Sequence, residues 1–524
     1  MTVCFCIVKF KFNGMGTKFM KFRCMNKLVY LLFFLFLTQP LVQPLCAMNQ
    51  IGLGDIDLSD IDMIEDDEKE STQTRMDDLQ LQTAAQVLAD YIKNPIWQST
   101  VAPQGRDILY HIPYKIAAIE YGGIAGNVFF NMTNRMHTSS SSLMGELQGA
   151  TLKGLQSVAD LFLEDLVGEE YAKDLSSVIP LFGEITLQEH RGGVLFQGGF
   201  IKGPFSVQLH TSLQVAERNF YISKKRQREL TELFSKYDDG GEFDKSELYY
   251  IRFGMGDTRL KLGMNTLNMT DFQNDFGFEC IIPTSLFSHS PKIDADPSGI
   301  IDDISSNEAL QKGITDVLKG MRDYLIDPKL GNGGHFGFGC YMESKADLFH
   351  RLLQLWMRAS YDKLFPADEY RLFMFKQTVT PAYLKTVADA GDPIEIRRVL
   401  KPFIQEYLLP TSFKSDVHPG GIFNFVFAAS TEIKKMRFAI GYDYYAQQKE
   451  SIDKIYNTNI SMSDLNVENT QAGSVEQHKV FAEALYVKKY KRCDLGMGLG
   501  GDTAIYSRGI GDDWTVYLKV AASF

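Results

Sequence analysis

The chain has 524 residues, of which 45% are hydrophobic and 23% charged, and a net charge of −11; its mean hydropathy is −0.14. That length fits two or three soluble domains or one large barrel, while the charge content excludes a bundle of membrane-spanning helices. The acidic balance, with no basic patch interleaved with aromatics, argues against nucleic acid as a partner.

Lys21, Arg23 and Lys27 precede an apolar run at 28–37, and 41–47 reads L-V-Q-P-L-C-A. A basic stretch, an apolar core too short to span a bilayer and a small residue at the cut describe a secretory signal peptide. Cleavage is expected after Ala47. Residues 1–19 stand ahead of the basic stretch, so a start at Met20 or Met25 would give a regular signal. Cys4, Cys6, Cys24 and Cys46 fall in this region. Cys280, Cys340 and Cys493 remain, too few and too scattered for a disulfide framework or a metal knuckle. Residues 48–114 form an acidic tail followed by a helix at 76–93, ended by Asn94-Pro95, and are expected to act as a plug or a periplasmic arm.

From 115 to 524 the pattern is β. Apolar and polar residues alternate, which puts one greasy and one wet face on each strand. The expected strands are 115–131, 184–191, 193–202, 205–216, 248–256, 257–266, 334–344, 348–361, 370–377, 421–430, 435–445, 477–490, 493–506 and 514–524. The segments 248–256 and 257–266 read as a hairpin, and 272–282 is a further candidate. The connections 132–183, 379–420 and 447–477 are expected on the outside. Those near 431–434 and 490–492 are short periplasmic turns, and 217–245 and 268–332 become long periplasmic ones. Helical pieces are expected at 152–166 and 308–325.

The last strand is the most telling. Trp514, Val516, Leu518, Val520, Ala522 and Phe524 share one face, opposed by Asp513, Thr515, Tyr517, Lys519 and Ser523. Eleven residues is the length a tilted strand needs to cross a bilayer core. This end resembles the C-terminal signal of bacterial outer-membrane barrels, although Ala522 and Lys519 depart from its usual aromatic and glycine. The resemblance implies that Trp514 and Phe524 belong to an assembly signal read by the barrel-assembly machinery, and that outer-membrane lipid surrounds the strands.

The fold expected is therefore all-β: a transmembrane antiparallel barrel of about fourteen strands, an even number as single-chain bacterial barrels have. Strand number and an N-terminal segment able to act as a plug resemble the fatty-acid transporter barrels. That resemblance implies a porin-like channel for passive passage of small or hydrophobic solutes. The alternatives are a surface-exposed structural or adhesion barrel and a soluble secreted β-protein. The residues expected to line the lumen are Arg259, Lys261, His335, His350, Arg358, Arg437, Asp443 and Lys519. A mixed-charge lining of this kind either biases what passes or satisfies itself in a closed lumen.

The remaining motifs carry no chemistry. Residues 236–247 look like a calcium-binding EF-hand loop, but Lys236 and Gly240 stand at the first and fifth positions, where carboxylates are needed. The segment reads as an acidic connector. Gly331-Asn332-Gly333-Gly334 and the glycines of 496–501 match neither a P-loop nor a dinucleotide turn and suit close approach within strands. No G-x-S-x-G or H-E-x-x-H occurs. His210 and Ser212 share a strand face at chance frequency. No catalytic residue, cofactor or metal is expected.

Overall fold

Alternation of apolar and polar residues builds a two-faced sheet, and such a sheet removes its own edges by closing into a barrel. The computed structural model describes residues 105–111, 122–136, 186–221, 224–225, 228, 249–269, 271–287, 326–349, 352–376, 411–457, 459–490 and 493–523, all within one unit, Glu70–Phe524. The expected signal peptide, acidic tail, helices, calcium-like loop, His350 and Phe524 lie outside these residues.

Sixteen strands are described: β1 (Gly122–Met136), β2 (Thr186–Lys202), β3 (Phe205–Tyr221), β4 (Tyr249–Met255), β5 (Thr258–Met269), β6 (Phe272–Ile282), β7 (Gly337–Leu348), β8 (Leu353–Leu364), β9 (Ala367–Phe373), β10 (Thr411–His418), β11 (Ile422–Ile433), β12 (Met436–Gln447), β13 (Ser451–Ile455), β14 (Val475–Lys489), β15 (Asp494–Arg508) and β16 (Asp512–Ser523). Twelve of them close a ring in the order β1-β2-β3-β5-β6-β7-β8-β11-β12-β14-β15-β16. The last strand returns to the first, with Ile124 opposite Ala522 and Met132 opposite Trp514.

The wall thus has twelve strands rather than fourteen, and each discrepancy has a local reason. Residues 184–191 and 193–202 are one strand, β2, because Gly192 and Gly193 stay in register against Phe130 and Phe129 of β1. The expected hairpin of 248–256 and 257–266 does not form. β4 and β5 run on in the same direction, and both pair with β3. Met255 faces Leu213, and Arg259 faces His210. Gly256 and Asp257 interrupt one continuous edge where a turn was expected. Residues 370–377 contribute to β9, outside the wall. The candidate at 272–282 is a wall strand, β6.

These corrections also settle the ends. The connections after β2, β5, β7, β11 and β14 are tight, and they gather at the end where β16 finishes. The long connections after β1, β3, β6, β8 and β12 leave from the other end. Of the two connections expected to be long and periplasmic, 217–245 therefore joins the outer ones, and 268–332 divides into a tight turn, β6 and a connection that leaves from the outer end, as the short-turn rule for barrels requires. At the outer end β8 and β11 continue as β9 and β10. With β13 they make a three-stranded sheet over a core of Phe373, Phe413, Val417, Ile452, Ile455 and Leu465.

Exposed apolar residues face outward around the wall. Val128, Phe196, Leu213, Leu262, Phe278, Phe338, Phe427, Ile440, Val480, Leu499 and Leu518 are all exposed. A continuous belt of this size is far beyond what a soluble surface carries, and it faces hydrocarbon. Aromatic residues mark its two margins. Phe200, Phe205, Phe272, Phe438 and Tyr486 lie toward the tight turns, and Phe130, Tyr361, Phe423 and Tyr506 toward the long connections. That is the girdle pattern of a transmembrane barrel. Cys280 and Cys340 are free thiols on outward positions beside Phe338 and Phe278.

Inward aromatics lie against the wall because the neighbouring strand carries glycine. A Cβ on Gly441 would stand 2.1 Å from Phe481 Cζ, one on Gly500 2.5 Å from the Tyr517 ring, and one on Gly277 2.6 Å from the Tyr341 ring. The glycine-rich stretch of β15 is thus a seat for side chains, consistent with its structural reading.

Candidate functional site

The candidate site is the lumen. The residues that alternate with the lipid-facing belt point inward, and many are charged and buried. On one side of the ring, β2 to β8, Arg191, Arg218, Arg259, Lys261 and Arg358 are buried with Glu189, Glu279 and Asp362. On the other side, β12 to β16, Asp443, Glu483, Asp502 and Asp513 are buried with Lys479 and Lys519. Asp257 is buried on the first side too, so that wall is close to balance, while the facing wall is in acidic excess.

Each wall is held by ion pairs. Glu279 receives three cations, Arg259 at 3.6 Å, Lys261 at 3.5 Å and Arg358 at 3.4 Å. Lys479 bridges Asp502 and Asp513, at 2.5 and 3.1 Å. Lys519 pairs with Glu483 at 2.9 Å, and the Tyr517 hydroxyl donates to the same carboxylate. Glu189 is clamped between Arg191 and Arg218. Buried charges in a low-dielectric interior need partners of this kind.

Between the walls runs a segment that belongs to neither. Residues 105–111, which include the short helix α1 (Ile108–His111), cross the lumen. Arg106 Nη2 donates to both oxygens of Asp443 at 2.9 Å, and its Nη1 donates to Gln477 at 3.2 Å. Asp107 stands 3.8 Å from Arg259 on the opposite wall. Ile108 and Leu109 pack on Phe129, Leu195 and Tyr517. Tyr110 packs on Ile281, Leu364, Ile422 and Tyr445, donates its hydroxyl to Asp362 at 2.5 Å and covers the Arg259 guanidinium at 3.7 Å.

A second segment, 326–335, folds inward at the outer end. Arg191 and Gln214 donate to the carbonyls of Lys329 and Leu330. Arg252 pairs with Asp327 at 2.6 Å, and the Asn332 amide donates to Asp257 at 2.6 Å. Above it, Glu369 meets Lys329 at 3.0 Å, His335 at 2.8 Å and Arg371 at 3.0 Å. Burial works to raise the Glu369 carboxyl, but Arg371, Lys329 and His335 together hold it well below the usual carboxylate range.

Of the residues expected to line the lumen, Arg259, Lys261 and Arg358 converge on one carboxylate. Asp443 and Lys519 lie on the facing wall. His335 sits at the outer rim, not among them. Arg437 lies near the tight-turn end, 3.6 Å from Glu432. His210 and Ser212 both point inward, as the alternation implies, and the His210 ring lies 3.3 Å from Gln208. Sequence reasoning missed Glu279, because 272–282 was held only as a further candidate strand. It missed Arg106 and Asp107 altogether. Arg106 meets a partner 337 positions away, and no local period announces such a contact.

No protein-family description matches the chain, and no curated protein matches it. Among solved structures it is similar to an outer membrane channel from Pseudomonas putida F1, at 8% identity and a TM-score of 0.37, covering 79% of this chain and 97% of that one. It is also similar to the Pseudomonas putida toluene transporter TodX, at 6% identity and a TM-score of 0.28, covering 82% and 96%. The Ralstonia pickettii toluene transporter TbuX follows at 9% identity and a TM-score of 0.27, covering 77% and 90%. The assignment does not rest on these values. It rests on strand closure, an outward apolar belt with aromatic margins and short turns at one end, which together make the chain an outer-membrane β-barrel.

Proposed function

We propose that the chain is a channel for passive passage of small solutes, closed in the state described by residues 105–111 acting as a plug. The observation that carries this reading is the way the segment is held. It crosses the lumen on side-chain contacts, chiefly Arg106 to Asp443 and Tyr110 to Asp362, and takes no place in the strand ladder of the wall. Such a segment can leave without breaking the barrel. The lining it would uncover sets buried charges among apolar patches at Phe129, Leu195, Ile281 and Ile422, and the charges favour polar solutes over hydrocarbons.

The test is flux through the full chain reconstituted in liposomes and planar bilayers, alongside a variant with Arg106→Ala. Measurable flux that rises in the variant supports a plugged channel. Two folded, inserted proteins that both pass nothing would sink it. The runner-up, a surface-exposed structural or adhesion barrel, draws on the outer sheet of β9, β10 and β13 with its own apolar core. It predicts that removing 367–418 abolishes attachment of expressing cells to a surface, with no change in solute uptake.

A further inference from the structure

Resting on the channel reading, the chemistry of the plug points to a class of cargo. Arg106 and Asp107 are adjacent in sequence yet serve opposite walls. The guanidinium of Arg106 sits in a fully buried pocket made by Asp443 and Gln477, under the Tyr445 ring at 4.8 Å. Asn424 braces the same carboxylate at 3.2 Å. Once the plug has left, this pocket presents to the lumen a carboxylate that has lost its cation.

The facing wall offers the converse. Arg259 is 2% exposed, and its Nε and Nη2 have no hydrogen-bond partner among the described residues; Asp107 Oδ2 has none either. These groups face each other at 3.8 Å, beyond hydrogen-bond reach. With Arg106 seated on Asp443, Asp107 stands short of Arg259. A small molecule without that tether can close the gap.

We propose that the lumen holds a binding site for small zwitterions, with a guanidinium or ammonium group seated on Asp443 and a carboxylate on Arg259, and that Arg106 and Asp107 fill this site in the closed state. Cargo and plug then compete for the same charges. A neutral solute or a lone ion serves at most one wall: it leaves either Asp443 without its cation or the Nε and Nη2 of Arg259, whose Nη1 stays with Asp362 and Glu279, without an acceptor. Free amino acids and short peptides with a basic group fit both walls; sugars and hydrocarbons do not.

The probe is L-arginine, with glucose as the neutral control, on the full reconstituted chain. Arginine is expected to raise the open fraction of wild-type channels saturably, by about tenfold or more, and to enter liposomes faster than glucose. Calorimetry on the detergent-solubilised chain should show saturable arginine binding, weakened about tenfold or more by Asp443→Asn and by Arg259→Gln. Guanidinium and acetate, each alone on wild-type protein, should bind weaker than arginine by a similar factor; this holds the test open if a variant fails to assemble. Equal flux of arginine and glucose with no saturable binding overturns the zwitterion site and leaves the channel standing. Binding without any flux supports the site and removes the channel.

Discussion

Replacing Arg106 by Ala acts on the plug and spares the wall. Both members of the Arg106–Asp443 pair have fully buried side chains, and both carboxylate oxygens accept from the same Nη2 at 2.9 Å. Removing one partner of a buried pair costs ~3–5 kcal/mol, because the other is left as an uncompensated charge. Loss of the stacking on Tyr445 adds ~0.5–2 kcal/mol. Against this, Ile108, Leu109 and Tyr110 stay in apolar surroundings, each burial being worth ~1.5–3 kcal/mol. The plug is thus loosened rather than expelled. A shift of ~3 kcal/mol moves the ratio of open to closed channels about a hundredfold. Single-channel recording in planar bilayers measures that ratio. A cysteine introduced at Ile108 reports the same event through its rate of labelling by a water-soluble thiol reagent. Arg106→Lys, which keeps the charge but loses the fork that spans Asp443 and Gln477, should fall between wild type and Arg106→Ala. If Arg106→Ala shows wild-type currents and wild-type labelling, the pair does not hold the segment and the plug reading is refuted.

Gly441→Ala places a methyl 2.1 Å from Phe481 Cζ and 2.4 Å from the Phe427 carbonyl oxygen, an overpacking expected to cost ~1–3 kcal/mol. The heat-induced shift on a detergent gel should move to lower temperature, and Phe481→Leu should recover part of the loss. Leu499→Arg puts a cation on a lipid-facing position that is 63% exposed and should destabilise the barrel by ~2–4 kcal/mol if the belt lies at mid-membrane; full stability in lipid would count against that belt. At the outer rim, Glu369 is held below its usual range by Arg371, Lys329 and His335. A depressed carboxylate contributes stability that is complete above its unfolded value and lost as pH falls through its folded value. Protease cleavage within 367–418 should therefore stay flat down to about pH 4.5 and increase only below it. Cleavage that rises between pH 7 and 5 would contradict this.

The strand faces were legible from sequence because the physics behind them is local. Alternation with period two decides which side chains meet lipid, so spacing alone puts Val516, Leu518 and Val520 on the lipid face, where they are exposed, and Arg259, Lys261 and Arg358 inward. The class of the fold followed from the same signal. Strand count was harder, because it depends on whether a glycine bends, breaks or merely thins a strand. Gly192-Gly193 lets β2 run through, whereas Gly256-Asp257 divides one edge between β4 and β5. Only the partner strand distinguishes these cases, through the register it imposes.

What the sequence by itself determined is the two-faced character of each strand and the mixed charge of the lining. Tertiary structure alone decided which charges meet, that Arg259, Lys261 and Arg358 share Glu279, and that Arg106 and Asp107 reach from one wall to the other. Those pairings join residues up to several hundred positions apart, and closure of the ring brings them within a few ångströms. Side-chain periodicity is a property of neighbours along the chain; the lumen is a property of neighbours around the barrel.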